Sequence, residues 1–236
     1  MTKTRLDDAV LVVMAKAPRA GQVKTRLTPP LAPDLAAALY RCMLIDTVRT
    51  MRATGLPAAA VVPPADAADV AAIVGPDVEV VVQHGRGLAD ALTFVFTAFG
   101  ARGRTRVVAL DSDSPTLPEH HVRVALALLG DHDVVLGPTS DGGYYLVGAR
   151  QPQPDLFVPS ALGTTSALAA IESTAAGLGL TSARTAEWYD VDTARDLVRL
   201  SRELRQDPSR APATAALLAA WRADGCALDE LERATG

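Results

Sequence analysis

Cysteine and large aromatic residues are scarce in this sequence. Its 236 residues include two cysteines, four phenylalanines and two tryptophans. Cys42 and Cys226 lie far apart and have no metal-ligand spacing, which indicates a reducing compartment and argues against a disulfide framework. With so few large aromatic side chains, the hydrophobic core must be built mostly from Ala, Val and Leu.

A positive net charge and a long apolar run are also missing. The net charge of −4 argues against a general nucleic-acid binder, because such proteins gain affinity by neutralising phosphates. No apolar stretch approaches the roughly 20 residues that span a bilayer, and the first residues show no signal-peptide pattern. We therefore expect a cytoplasmic protein whose partners include neither a nucleic acid nor a membrane.

The central motif is a short apolar stretch that ends at two carboxylates. Residues 107–110 read VVAL, which predicts a buried strand, and Asp111 and Asp113 follow it. Asp is rare inside strands, so the pair belongs at the carboxyl end of the strand, where open α/β sheets bind ligands. Two carboxylates this close repel unless a cation lies between them, and Mg²⁺ is the usual choice. The alternative is an Asp-Ser turn with solvated charges.

A basic loop follows the first predicted strand. No acidic residue occurs from Ala9 to Pro33, whereas four basic residues do: Lys16, Arg19, Lys24 and Arg26. Lys offers a point charge and Arg a forked contact to phosphate, and Gly21 lets the backbone approach a ligand closely. The alternative is a solvated basic loop. A kinase-type phosphate loop is excluded, because Val23 precedes Lys24 where that loop requires glycine.

A second glycine-containing loop, residues 84–90, lies between the third predicted strand and a helix. Gly85 and Gly87 flank Arg86, but the third glycine of a dinucleotide fingerprint is missing. A nicotinamide-dinucleotide site is therefore disfavoured. Two interpretations of this loop remain open: a tight loop that packs against a flat nucleobase, and a plain turn.

Two polar motifs suggest an acceptor site. Asp141, followed by Gly142 and Gly143, is either a hairpin turn or a third carboxylate with room for a ligand beside it. Residues 163–166 precede a predicted helix, and the N-terminus of a helix is a natural site for an anionic group of an acceptor.

A second acidic pair, Asp190 and Asp192, lies near the end of the alternating pattern. The pair could add carboxylates to the site that contains Asp111 and Asp113. Alternatively, Asp192 could merely cap the helix that begins at Ala194.

Strands and helices alternate along the chain. The predicted strands are residues 9–14, 58–62, 78–83, 106–110, 133–136 and 144–148. Continuous apolar runs of this kind are typical of parallel strands buried on both faces. The alternation predicts a three-layer α/β/α sandwich with a mostly parallel central sheet. We expect a single domain over residues 1–236, in which residues 206–236 form a C-terminal helical extension.

Taken together, these motifs resemble the nucleotide-diphospho-sugar transferase (GT-A) superfamily, whose fold is Rossmann-like. The best match is a bacterial branch known as the "glycosyltransferase A family", which carries a domain of unknown function. The resemblance extends over roughly residues 9–205, and the matching segments are residues 14–27, 111–115, 137–148 and 190–193. The stretch from Lys24 to Asp46 also looks like the phospholactate and phosphoenolpyruvate guanylyltransferases. Leu162-Gly163-Thr164 replaces the Trp-Ser-Thr-like stretch that is usual in the close family.

The resemblance implies a metal-dependent transferase that uses a nucleotide donor, Mg²⁺ (or Mn²⁺) and a small-molecule acceptor. We expect nucleotidyl transfer from a nucleoside triphosphate to a small phosphorylated acceptor, with release of pyrophosphate. In such a reaction, positioning and electrostatic stabilisation supply most of the rate. Two alternatives are the transfer of a sugar from a nucleotide-sugar and a catalytically silent nucleotide-binding module.

The predicted site residues follow from these motifs and from the resemblance. The predicted catalytic residues are Lys24, Arg26, Asp113 and Asp141. The predicted nucleotide-binding residues are Ala15, Lys16, Gly21, Lys24, Arg26, Gly85, Gly87, Leu88 and Asp111. The predicted acceptor-binding residues are Asp141, Gly142, Gly143, Gly163, Thr164 and Ser166, and the predicted metal ligands are Asp111, Asp113, Asp190 and Asp192. We therefore expect Lys24 and Arg26 to share one cleft with Asp113.

Overall fold

The computed structural model describes residues 8–160, 162 and 164–224. Within these residues, seven strands form one sheet: β1 Ala9–Met14, β2 Ala58–Val62, β3 Glu79–Val82, β4 Arg106–Leu110, β5 Val134–Pro138, β6 Tyr144–Ala149 and β7 Ser182–Arg184. The helices are α1 Pro33–Ala53, α2 Ala67–Val74, α3 Gly87–Ala101, α4 Glu119–Leu128, α5 Ala167–Gly177, α6 Ala194–Gln206 and α7 Pro212–Ala223. In this part of the chain, no helix combines the length and the apolar character that a bilayer crossing requires.

The strand order determines where a ligand can bind. The order is β3-β2-β1-β4-β6-β5-β7, and β1 pairs in parallel with both β2 and β4. β6 runs antiparallel to β4 and β5, so the six other strands point the same way. After β1 the chain builds the sheet outward to β3 and then returns to the other side of β1 with β4. Ligands in such sheets bind at this reversal, outside the carboxyl ends of the strands.

Both faces of the sheet are covered by helices. On β1, Leu11 and Val13 join an apolar cluster with α1, α2 and α4, whereas Val10 and Val12 join a cluster with α3 and α5. This division follows the two-residue period of a strand. Because both faces are buried, the strands need apolar side chains at every position, which explains the continuous apolar runs of the sequence.

A third apolar cluster joins distant parts of the chain outside the sheet. It packs α6 and α7 against α1 and includes Trp221, which is 6% exposed. Leu27, three residues after Lys24, belongs to the same cluster, and so does Val191. The cluster therefore holds the basic loop next to the segment that contains Asp190 and Asp192.

The predicted fold class is confirmed: a mostly parallel sheet lies between two layers of helices. β1, β2 and β4 have the predicted bounds. β7 was not predicted, because this three-residue edge strand is polar and largely exposed and therefore lacks an apolar run. Of the predicted C-terminal extension, α7 packs on α1, and residues 225–236, with Cys226, lie outside the described residues.

Asp46 on α1 holds the start of α7. Its side chain is fully buried, and it accepts hydrogen bonds from the N–H groups of Ala213 at 3.1 Å and Thr214 at 2.8 Å. The Thr214 hydroxyl donates a third hydrogen bond at 2.7 Å. Backbone N–H groups in the first turn of a helix have no acceptor within the helix, and a negative charge there is favourable. The Asp46 carboxylate therefore attaches α7 to α1.

Replacing Asp46 with Ala should lower the free energy of unfolding by about 3 kcal/mol, since a hydrogen bond to a charged group contributes about 1.5–3 kcal/mol and several are lost together. Denaturant unfolding should show a lower midpoint and an unchanged m value. Arg41→Ala, on the exposed side of the same helix, is the matched control and should change the stability by less than about 0.5 kcal/mol. Equal stability of D46A and the unmodified protein would contradict this role of Asp46.

Candidate functional site

The carboxyl ends of the parallel strands bring the basic loop and the acidic motifs to one edge of the sheet. The loops after β1, β4, β5 and β7 all begin there. The N–H group of Val191 donates to the carbonyl oxygen of Asp113 at 3.0 Å, and Thr139 forms a parallel bridge with Trp188. These backbone contacts place the segment after β7 beside the segments that follow β4 and β5.

Lys24 connects the basic loop to two acidic motifs. Its Nζ forms ion pairs with Asp113 and with Asp192, the latter at 2.7 Å from Oδ1. The Lys24 side chain is 5% exposed, and its backbone has a φ of 47°, the one left-handed non-glycine conformation among the described residues. Burial alone would lower the pKa of Lys24, but the two carboxylates more than offset this, so the pKa is raised and the ammonium stays charged.

Two arginines of the basic loop point in different directions. Arg26 lies in the cleft, with 3.2 Å between its Nη1 and Oδ2 of Asp192, and its side chain is 68% exposed. Arg19 instead forms ion pairs with Asp66 and Asp69 at the start of α2. The expected cleft that contains Lys24, Arg26 and Asp113 therefore exists, whereas Arg19 stabilises the loop from outside it.

Tyr40, on α1, joins the loops after β1 and β4. The N–H group of Lys16 donates to the Tyr40 hydroxyl at 3.0 Å, and this hydroxyl is hydrogen-bonded to Ser112 Oγ at 2.9 Å. Sequence reasoning missed Tyr40, because an aromatic residue on the buried side of a helix looks the same in sequence whether it packs in a core or reaches a site.

Asp111 and Asp190 add further negative charge near Asp113. Ser114 Oγ donates to Oδ2 of Asp111 at 2.7 Å, while the buried Oδ1 of Asp111 has no hydrogen-bond partner among the residues described. Burial raises the pKa of Asp111 well above its ordinary value, and the charge of Asp113 raises it further. Burial, followed by the charges of Asp113 and Asp192, also raises the pKa of Asp190 to about 7. An additional cation at this edge would therefore be electrostatically favourable.

The four predicted metal ligands lie at this edge without forming a preassembled site. Over residues 8–160, 162 and 164–224, no three His, Cys, Asp or Glu side chains form a group that could hold a metal ion. The Lys24 ammonium instead lies between Asp113 and Asp192. Even so, carboxylate oxygens are the donors that Mg²⁺ prefers, and the unpartnered Oδ1 of Asp111 supplies one more. The donor chemistry and the charge fit a divalent cation.

The alternative in which Asp192 caps α6 is wrong. Thr193 is the N-cap of α6 and forms a capping box with Asp196, whose carboxylate accepts from the Thr193 N–H group at 2.8 Å. The Asp192 side chain is engaged with Lys24 and Arg26 instead.

A first cavity, with a volume of about 630 Å³, opens between the basic loop and the start of α3. The predicted nucleotide-binding residues that line it are Ala15, Lys16, Lys24, Arg26, Gly87 and Leu88. The lining also includes Gln22, Tyr40 and Gln83, which sequence reasoning did not select.

Two of the predicted nucleotide-binding residues, Gly21 and Gly85, do not line this cavity or the smaller cavity beside it. Gly85 has a local structural reason to be glycine. A Cβ at this position would lie 2.4 Å from the Cβ of Asp90, whose carboxylate accepts from the Arg86 N–H group at 2.7 Å at the start of α3.

A second cavity, of about 280 Å³, adjoins the first at Arg26, Leu88 and Asp113. Three predicted acceptor-binding residues line it: Asp141, Gly143 and Thr164. Gly142 and Ser166 do not line it, and Gly163 lies outside the described residues. Asp111, predicted to bind the nucleotide, lines this second cavity and not the first.

Asp141 is held in a fixed position beside the second cavity. Thr139 Oγ1 donates to its Oδ1 at 2.6 Å, and the Gly143 N–H group donates at 3.0 Å. The hydrogen bond from Thr139 lowers the pKa of Asp141 in spite of its partial burial. Asp141 therefore presents a carboxylate to the cavity.

Comparison with known proteins identifies the family of this chain. Residues 47–164, half of the chain, match the model of DUF2064, a family described as "Uncharacterized protein conserved in bacteria". The chain belongs to DUF2064. No match was found among curated proteins.

Solved structures share the fold of this DUF2064 protein. A provisionally assigned nucleotide-diphospho-sugar transferase from Desulfovibrio desulfuricans G20 is 29% identical, with a TM-score of 0.86 over 97% of this chain and 98% of that chain. A CMP:2-keto-3-deoxy-manno-octonic acid synthetase in complex with CTP is 12% identical, with a TM-score of 0.55 over 84% of this chain and 99% of that chain. A 4-diphosphocytidyl-2C-methyl-D-erythritol synthase from Anaerococcus prevotii DSM 20548 is 11% identical, with a TM-score of 0.53 over 84% and 98%. The predicted resemblance to the nucleotide-diphospho-sugar transferases is confirmed.

Replacing Gly142 with Ala should lower the free energy of unfolding by about 1–3 kcal/mol, because its φ is 89° and a Cβ would lie 1.9 Å from the carbonyl oxygen of Thr165. Thermal unfolding measures the effect. Gly177→Ala is the control, since a Cβ at Gly177 would meet no described atom within 4 Å beyond its chain neighbours and the backbone of its own helix. This change should be neutral or stabilising by up to about 1 kcal/mol. If both variants unfold at the same temperature, the close packing of Gly142 on Thr165 is refuted.

Proposed function

We propose that this protein is a metal-dependent transferase with a nucleotide donor, and that it transfers the nucleotidyl group of a nucleoside triphosphate to a small acceptor. The observation that carries the proposal is the contact of Lys24 with both Asp113 and Asp192. This contact lies in one cleft at the reversal point of the sheet. It brings together a cation that suits phosphate and carboxylates that suit a metal ion. A structure of the same fold holds CTP, which supports a nucleotide as the donor.

The first cavity suits a polyphosphate. Lys16, Lys24 and Arg26 line it, and the left-handed backbone of Lys24 is the kind of strain that proteins retain where a side chain must be held in place. In the proposed reaction, an acceptor oxygen attacks the α-phosphorus, and the bond from that phosphorus to the bridging oxygen breaks. Pyrophosphate leaves with the electron pair, and Lys24 and Arg26 offset its negative charge.

The carboxylate cluster suits a divalent cation such as Mg²⁺. Asp113, Asp190 and Asp192 would hold it together with Asp111, whose Oδ1 lacks another partner among the described residues. When bound, the cation would supply positive charge to the donor phosphates. Burial, and after it the charges of nearby carboxylates, raise the pKa values of Asp111 and Asp190. Negative charge is therefore in excess here, and a bound cation would relieve it.

A second candidate function is sugar transfer from a nucleotide-sugar. Two observations favour it: the name of the Desulfovibrio relative and the fixed carboxylate of Asp141 in the second cavity. In this reaction, an acceptor hydroxyl attacks the anomeric carbon, the bond from that carbon to the nucleoside diphosphate breaks, and Asp141 takes the hydroxyl proton.

Changing Lys24 to Met or Asp113 to Asn should reduce kcat/KM by about 100- to 1,000-fold, since each removes a charged contact made at the reacting phosphates. Pyrophosphate release from each of the four nucleoside triphosphates measures nucleotidyl transfer, and nucleoside diphosphate release from nucleotide-sugars measures sugar transfer. Arg19→Ala is the matched control, because Arg19 is in the same loop but pairs with Asp66 and Asp69 away from the cavity. It should stay within about twofold of the unmodified protein.

The outcomes of this comparison are distinct. Release of nucleoside diphosphate alone favours sugar transfer over the first proposal. Nucleotide binding without turnover, unaffected by D113N, would mean that the protein is a silent binding module. Far-UV circular dichroism of each variant verifies that the fold is intact.

Removing divalent cations should abolish most of the thermal stabilisation that a nucleoside triphosphate gives. The physical reason is that the carboxylates around Asp113 repel the phosphates unless a cation lies between them. Thermal shift with nucleotide and Mg²⁺, repeated in the presence of EDTA, measures this effect. Stabilisation of the same size in EDTA would contradict the proposed metal dependence.

A further inference from the structure

The two cavities of the site have opposite charge. Among the described residues, the first is lined by three cationic side chains, Lys16, Lys24 and Arg26, and by the carboxylates of Asp113 and Asp192. The second is lined by one cationic side chain, that of Arg26, and by five carboxylates: Asp111, Asp113, Asp141, Asp190 and Asp192. The first cavity therefore favours an anion, and the second opposes one.

The difference in charge between the two cavities does not depend on Asp111 and Asp190. Even without Asp111 and Asp190, three carboxylates (Asp113, Asp141 and Asp192) outnumber the two cations beside them, which are Arg26 and the Lys24 ammonium. A divalent cation would add positive charge, but the donor phosphates that it accompanies bring more negative charge than it offsets. An anionic acceptor would therefore meet an excess of negative charge in the second cavity.

The helix that begins at this cavity offers few free groups to an anion. The N–H group of Ser166 donates to Thr164 Oγ1 at 3.3 Å, that of Ala167 to the Thr164 carbonyl at 3.1 Å, and that of Leu168 to the Gly142 carbonyl at 3.2 Å. These are groups of the kind that bind phosphate at other helix N-termini. Here they are already occupied, so a phosphate would have to displace existing hydrogen bonds.

The cavity does offer partners for a hydroxyl group and for an apolar surface. Asp141 supplies a hydrogen-bond acceptor, and the buried hydroxyl of Tyr144, which also lines the cavity, has no partner in the part of the chain that is described. The apolar lining includes Met14, Leu88, Leu92, Ala109, Leu110, Val147 and Ala167. With about 280 Å³, the cavity is at the lower end of small-molecule sites.

We infer that the acceptor is a small uncharged or cationic molecule with a free hydroxyl group next to a short apolar portion. This inference rests on the proposed transferase function, and it differs from the phosphorylated acceptor that the sequence led us to expect. In either reaction the hydroxyl oxygen forms the new bond to the donor, the bond to pyrophosphate or nucleoside diphosphate breaks, and the hydroxyl proton passes to the Asp141 carboxylate.

The test compares matched acceptor pairs after the donor has been identified by the nucleotide experiments above. The pairs are glycerol and glycerol 3-phosphate, ribose and ribose 5-phosphate, and glucose and glucose 6-phosphate, at equal ionic strength. Donor consumption should be at least about tenfold faster with the uncharged member, because like charges in a binding site oppose association. A phosphate ester that reacts as well as its parent overturns the inference and leaves the transferase function intact. A protein that binds no nucleotide contradicts the proposed function instead.

Variants at Thr165 test whether charge is the cause. Thr165 is exposed and lines the second cavity, so Thr165→Arg adds a cation there, and Thr165→Gln is the uncharged control. The ratio of the rate with a phosphate ester to the rate with its uncharged parent should be at least about fivefold higher in T165R than in T165Q. If no pair is turned over, binding of each probe is measured by thermal shift of the donor-saturated protein, with the same expected order. Unchanged discrimination in T165R overturns the inference.

Discussion

A buried ammonium group held between two carboxylates is the interaction on which this site depends. Lys24 and Asp192 are 168 residues apart in sequence, and Asp113 is 89 residues from Lys24. A charge removed from water is costly unless it is paired, so this position of Lys24 requires both carboxylates. The apolar cluster that contains Leu27 and Val191 brings Lys24 near Asp192, and the hydrogen bond from the Val191 N–H group to the Asp113 carbonyl oxygen places Asp113 beside them. Hydrophobic packing at a distance therefore sets the electrostatics of the cleft.

The same edge of the sheet supplies charges of both signs to neighbouring cavities. Basic side chains come from the loop after β1, and carboxylates come from the segments after β4, β5 and β7. Under the proposed function, this division would keep a polyphosphate and a second substrate in separate cavities, because each would prefer the cavity whose charge suits it. Arg26, Asp113 and Asp192 line both cavities, which places them where the two substrates would meet.

The fold alone does not define the reaction. Proteins of this fold include synthetases named for cytidine nucleotides and a relative named for nucleotide-sugars. They share an overall fold, and the chemistry of each depends on the side chains that the fold presents. Two features of this chain would gain a contact from a ligand: the buried Oδ1 of Asp111, which has no hydrogen-bond partner among the described residues, and the fixed carboxylate of Asp141.

The sequence by itself determined the architecture of the protein and the edge at which a ligand would bind. Continuous apolar runs such as Ala9–Met14 and Arg106–Leu110 report strands buried on both faces, and this local signal does not depend on distant residues. The sequence also predicted that Lys24 and Asp113 share one cleft. Only the tertiary structure decided the individual pairs: Lys24 contacts both Asp113 and Asp192, while Arg19, from the same loop, pairs with Asp66 instead. The local apolar period of a strand or helix identifies that element, but it does not tell which distant loops the packing of the elements brings together. For the same reason, the role of Tyr40 and the occupied N–H groups at the start of α5 could be recognised only in the folded chain.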